Sequence, residues 1–60
     1  MPVITIESTK LSKEQKAELV QEMTETAARV MNLPEAAFYV YIKESEPENI
    51  GVGGKLLSEK

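Results

Sequence analysis

Residues 12–31 read SKEQKAELVQEMTETAARVM, and this stretch decides the fold. Ser12 followed three residues later by Gln15 matches a capping box, in which each side chain satisfies the other residue's backbone amide. Glu14 falls in the first turn, where a negative charge suits the helix dipole. Leu19, Val20, Met23, Ala27, Val30 and Met31, with Ala17 nearby, recur at i+3, i+4 and i+7, a single helical stripe expected to be core. Glu18, Glu22, Glu25 and Arg29 decorate the rest, with Arg29 expected mid-helix, opposite the stripe. Glu25 and Arg29 are spaced as a favourable i,i+4 ion pair. Asn32 and Pro34 end the helix.

Two strands flank it. Val3 to Glu7 (VITIE) is short and β-branched, with Ile4 and Ile6 on one face and Val3, Thr5 and Glu7 on the other. Phe38 to Ile42 (FYVYI) alternates likewise: Phe38, Val40 and Ile42 face the helix, while Tyr39, Tyr41 and Lys43 point away. Strand, long helix, strand is a β-α-β unit of the α/β class, with two parallel strands and a right-handed crossover. An acidic, turn-rich loop, Glu44 to Asn49, precedes Ile50-Gly51-Val52-Gly53-Gly54, where glycines imply positive φ or close approach. A short C-terminal hairpin is expected there, with Lys55 to Lys60 as a tail. No linker or repeat divides residues 1–60, so they read as one domain. A two-stranded parallel sheet leaves one face bare and both edges open, although parallel sheets are almost always covered on both faces. The protomer is therefore expected to complete its sheet by self-association.

Composition narrows the chemistry. A chain of 60 residues is marginal alone and needs a staple. It has no Cys, which removes disulfides, thiolate metal sites and cysteine nucleophiles. It has no His and no Asp, so serine-type triads cannot be built. The net charge of −3 lacks the basic patch of a nucleic-acid binder: Lys10, Lys13 and Lys16 are interleaved with Glu14 and Glu18. No apolar run reaches the ~20 residues of a membrane span, and no signal peptide is visible. The expectation is a cytoplasmic protein with no nucleic-acid or membrane partner.

Glu46 and Glu48 beside Pro47 are weak evidence for a cation site, and the glycine run lacks the flanking strand and helix of a nucleotide loop. One feature stands apart: Met1-Pro2 directly ahead of a strand. Removal of Met1 would make Pro2 the N-terminus, with a secondary amine for its nitrogen. An α-amino group has a pKa of roughly 7.7–8.0 in model peptides, and burial or a nearby cation lowers it. A base poised near neutrality is what general acid–base catalysis requires. With Met1 attached, the same nitrogen is an amide and silent.

Pro2, the helix opening Ser12-Lys13-Glu14-Gln15-Lys16, the strand Val40 to Glu44 and the glycine signature Ile50 to Gly54 together resemble the 4-oxalocrotonate tautomerase family over nearly the whole chain. The resemblance implies a β-α-β subunit in a homohexamer, a trimer of dimers. It implies cofactor-free and metal-free keto–enol tautomerisation of a small unsaturated 2-hydroxy or 2-oxo acid, with Pro2 carrying the proton. Carried over residue by residue, an arginine that holds substrate carboxylate before the helix falls on Lys10 or Leu11. A second arginine falls on Tyr39, and a water-excluding aromatic falls on Ile50. These substrate-binding positions, Lys10, Tyr39 and Ile50, predict weak turnover of the usual dicarboxylate or a less charged enol. The other readings are a catalytically silent hexamer, and a hydratase or dehalogenase in which the same proline directs water.

Overall fold

The structure, a computed structural model, describes residues 1–59. Strand β1 spans Val3–Ser8, with Ile4, Ile6 and Ser8 half-buried and Val3, Thr5 and Glu7 exposed. Helix α1 spans Lys13–Met31. The Gln15 amide donates to Ser12 Oγ at 3.1 Å, and the Ser12 amide donates to Gln15 Oε1 at 3.0 Å. The capping box is therefore formed as the sequence predicts. At the other end Asn32 turns left-handed at φ 57°, which lets the Asn32 and Leu33 amides reach back to the Ala28 carbonyl.

A single 3₁₀ turn, Glu35–Ala37, leads into strand β2, Tyr39–Glu44. The two strands are parallel, in the register Val3–Tyr39, Thr5–Tyr41 and Glu7–Lys43. Both ends of the ladder are closed by further backbone bonds. The Tyr39 amide donates to the Pro2 carbonyl at 3.1 Å, and the Ser45 amide to the Ser8 carbonyl at 2.9 Å. The alternation predicts β2 from Phe38; the structure begins it one residue later, because the Phe38 amide still closes the 3₁₀ turn onto Glu35.

After a second 3₁₀ turn at Pro47–Asn49, strands β3 (Gly51–Val52) and β4 (Lys55–Leu56) form an antiparallel hairpin. Gly53 and Gly54 have φ of 61° and 87°, the two positive values that a tight two-residue hairpin turn needs. Gly51 has no such requirement: a Cβ there would meet only the Lys55 carbonyl oxygen, at 3.7 Å. The segment 55–59 is not a plain tail. It supplies β4 and a 3₁₀ turn, and the Leu57 amide binds the Ile50 carbonyl at 2.8 Å.

The principal extents, 43 × 23 × 14 Å, describe one helix laid on a narrow sheet, with little depth for a core. Among the described residues only Ala28 is a buried hydrophobic. This corrects the expectation that the helical stripe is core. Met23, Val30 and Met31 are 41%, 69% and 51% exposed, whereas Ala28 and Thr24, outside that stripe, turn inward. Two strands are too narrow to cover an apolar arc this wide. Arg29 is also relocated, to the last turn of α1 rather than mid-helix. It makes no ion pair with Glu25: among the described residues the salt bridge is Lys16–Glu44, and Glu25 accepts a 3.4 Å hydrogen bond from Gln21 instead.

Candidate active site

Pro2 stands at the start of β1, half-buried, with the same parity as the helix-facing Ile4 and Ile6. Its carbonyl is fixed by the Tyr39 amide, so the ring is held at the head of the sheet. Proline is suited to this place because it has no N–H for the ladder to miss. On the other side of its nitrogen, Met1 projects into solvent, 80% exposed. The peptide bond to Met1 delocalises the nitrogen lone pair. Only cleavage of that bond leaves an amine able to accept a proton.

Tyr39 is the β2 partner of Val3 and so lies beside Pro2. Its side chain is 51% exposed on the face away from α1, two residues from Tyr41, which is equally exposed. Lys10 and Leu11 lie in the loop after β1, at the far end of the sheet. Ile50 also lies there, half-buried in a cleft of about 320 Å³ lined with Glu7, Ser8, Thr9 and Ser45. From Val3 to Ser8 the strand advances about 16 Å. One chain thus brings Pro2 to Tyr39, and Lys10 to the neighbourhood of Ile50, but it does not bring the two pairs together.

Glu44 organises the far end in a way the sequence reading did not find. Its Oε2 accepts from the Leu11 amide at 2.8 Å, and its Oε1 pairs with Lys16 Nζ at 2.9 Å. The Leu11 amide first, then the Lys16 ammonium, hold the Glu44 carboxyl below its ordinary value. The end of β2 is thereby tied to the loop carrying Lys10 and to the first turns of α1. Glu44 is 33 residues from Leu11 and 28 from Lys16, so no local pattern announces the contact.

A second groove, about 360 Å³, runs along the outer side of α1 between Leu11, Leu19 and Met23, with Gln15, Glu18 and Glu22 on its rim. Glu22 is raised above its ordinary value, first by its hydrogen bond with the Glu18 carboxyl and then by the repulsion between the two. This groove includes neither Pro2 nor Tyr39. Among the described residues no group of three or more acidic side chains is placed to hold a metal ion. Among the described residues no helix is long and apolar enough to cross a membrane.

Residues 2–60 match the family model described as tautomerase enzyme. A probable tautomerase of Campylobacter jejuni is 39% identical over 57 residues, covering 92% of this chain and 84% of the relative. The crystal structure of a 4-oxalocrotonate tautomerase homologue superposes with a TM-score of 0.92 at 31% identity, covering 100% of this chain and 97% of that one. A heterohexamer 4-oxalocrotonate tautomerase from Chloroflexus aurantiacus superposes at 0.84 with 30% identity, covering 98% and 95% of the two chains.

Proposed function

The chain belongs to the tautomerase enzyme family, and from that premise we propose that Pro2 is its general acid and base, in an isomerase acting on a small unsaturated 2-hydroxy or 2-oxo acid. The observation that carries this reading is the seating of Pro2. The ring is half-buried at the head of β1, its carbonyl is fixed by the Tyr39 amide, and its nitrogen is acylated by an exposed Met1. Once Met1 is released, the amine takes the proton from the substrate 2-hydroxyl as electrons move through the conjugated system. It then returns the proton at the distant carbon, which completes the 1,5 transfer and leaves the 2-oxo acid. No net charge or redox change occurs, so one group that cycles between amine and ammonium is sufficient.

The proposed substrate contacts are Lys10 for a carboxylate, the Tyr39 hydroxyl as a hydrogen-bond donor and Ile50 as an apolar wall. The separation of Lys10 and Ile50 from Pro2 within one chain supports a site shared between subunits. A homohexamer, a trimer of dimers, is the assembly proposed, with a neighbour bringing its Lys10 and Ile50 end to Pro2. The Chloroflexus relative, a heterohexamer, supports association as a habit of the family.

The test is turnover of 2-hydroxymuconate and of phenylenolpyruvate by protein whose mass shows Met1 removed. Pro2→Ala should lower turnover by about 10²-fold or more, the usual worth of a positioned acid–base group. Unchanged turnover in that variant, or full activity in protein that retains Met1, overturns the reading. Hydration or dehalogenation in place of tautomerisation would keep Pro2 and change the reaction class.

A further inference from the structure

Two neighbouring residues at the end of β2 pin the loop after β1 from both sides. The Ser45 amide donates to the Ser8 carbonyl at 2.9 Å. The Leu11 amide donates to Glu44 Oε2 at 2.8 Å. Between these anchors lie Thr9 and Lys10, both exposed. The Ser45 anchor is backbone, so any residue there except proline can make it. The Glu44 anchor depends on its side chain. Lys10 Cα is separated from the anchored Leu11 nitrogen by the Lys10 carbonyl carbon alone, and that peptide unit is planar. The Glu44 carboxylate therefore fixes where the Lys10 side chain begins.

The same closeness creates a competition. A carboxylate that holds the Lys10–Leu11 peptide is also within reach of the Lys10 ammonium, and a lysine paired with Glu44 is lost to a substrate carboxylate. Lys16 removes the competition. Its Nζ lies 2.9 Å from Glu44 Oε1, while Oε2 serves the Leu11 amide. Both oxygens are engaged, and among the described residues the salt bridge at Glu44 is with Lys16 and not with Lys10. The Leu11 amide, then Lys16 and, least of the three, Lys10 hold the Glu44 carboxyl below its ordinary value, so all three face it.

We propose that Glu44 and Lys16 are a positioning pair for the substrate-carboxylate contact: Glu44 sets the Lys10–Leu11 peptide, and Lys16 occupies the second Glu44 oxygen so that the Lys10 ammonium stays free for substrate. Neither residue touches substrate. The inference rests on the reading of Lys10 as the carboxylate contact and names what keeps that contact available. The substrate carboxylate keeps its charge throughout the proton transfer, so Lys10 binds ground and transition state alike. Misplacing it raises KM and leaves kcat nearly unchanged.

The experiment is steady-state kinetics on 2-hydroxymuconate with Met1-free protein, run well below each variant's melting temperature. Glu44→Ala and Lys16→Met should each raise KM by about tenfold, with kcat within about twofold. Adding Glu44→Gln to Lys16→Met should bring KM back toward the wild-type value. The neutral amide still accepts from Leu11 but no longer attracts Lys10. A pair that served stability alone would show no such repair. If either single variant keeps the wild-type KM, or the double variant is no better than Lys16→Met, the positioning pair is overturned. Lys10→Met separates this outcome from failure of the underlying reading: it should raise KM by itself, and Lys16→Met should add nothing to it. A raised KM in Lys10→Met beside an unmoved KM in Lys16→Met overturns the pair and leaves the Lys10 contact standing. An unmoved KM in Lys10→Met removes both, and Pro2 is then judged by Pro2→Ala alone.

Discussion

At the scale of single residues, Pro2 and Tyr39 are two proposed site residues that one chain brings side by side. The Tyr39 backbone amide holds the Pro2 carbonyl, whatever side chain stands at position 39. The side chain is free to vary because it projects from the exposed face of β2. A phenol offers one neutral hydrogen bond, whereas a guanidinium offers a charged fork that fits a carboxylate in two places. Tyr39→Arg is therefore expected to raise kcat/KM for a dicarboxylate by about tenfold or more, from a charge-assisted bond worth about 1.5–3 kcal/mol. Turnover of a monocarboxylate enol should change less. Steady-state kinetics on the two substrates checks this, and an equal response to both would argue against a carboxylate contact at position 39.

At the scale of elements, α1 and the loop before it are held by two devices of different kinds. The first is local. The Ser12–Gln15 box satisfies two amides that the helix cannot, and Ser12→Ala should cost about 0.5–2 kcal/mol in urea unfolding. The second is long-range. Glu44 joins the end of β2 to Leu11 and Lys16, and its carboxyl is lowered from the ordinary 4.5. A carboxyl lowered on folding stabilises the native state above its unfolded pKa, and that contribution is lost as pH falls through the folded value. Glu44→Gln keeps an acceptor for the Leu11 amide but loses the charge. The variant should be less stable than the wild-type chain at pH 7, with the difference shrinking as pH drops below 4.5. Thermal melts at pH 7 and in acid report the sign, and a difference that persists or grows in acid would rule out the ionic clamp.

At the scale of the whole molecule, the protomer has more apolar surface than it can use. Tyr39, Tyr41 and Val3 lie about half-exposed on one side of the sheet, as does Met31 on the helix, Val30 is more exposed still, and Ala28 is the lone buried hydrophobic among the described residues. In the assembly proposed above, a chain this short, without disulfides, would draw part of its stability from its neighbours. Its melting temperature should therefore rise with protein concentration. Each tenfold increase is worth about 1.4 kcal/mol per association step. Tyr41→Glu, which places a charge on the open sheet face, should lower the melting temperature and weaken that dependence. A concentration-independent melt in the wild-type chain would mean that the monomer carries its own stability.

What was legible in the sequence is what depends on neighbours within a few positions. The capping box, the left-handed Asn32, the alternation that puts Ile4 and Ile6 on one face and Tyr39 and Tyr41 on another, and the Gly53-Gly54 turn are each set by i to i+4 relations or by a period of two. Those relations fixed the β-α-β order, and a chain without His or Cys leaves Pro2 as its candidate base. What only the tertiary structure decided depends on distance in space between residues remote in sequence. The Glu44 clamp spans 28 and 33 positions, which no window reads. The placing of Pro2 and Ile50 at opposite ends of the sheet follows from the direction of two parallel strands and from where the hairpin folds back. Periodicity marked the apolar positions of α1, but not which of them a sheet two strands wide could cover. That width, a property of the assembled layers and of no single segment, left Met23 and Val30 facing outward.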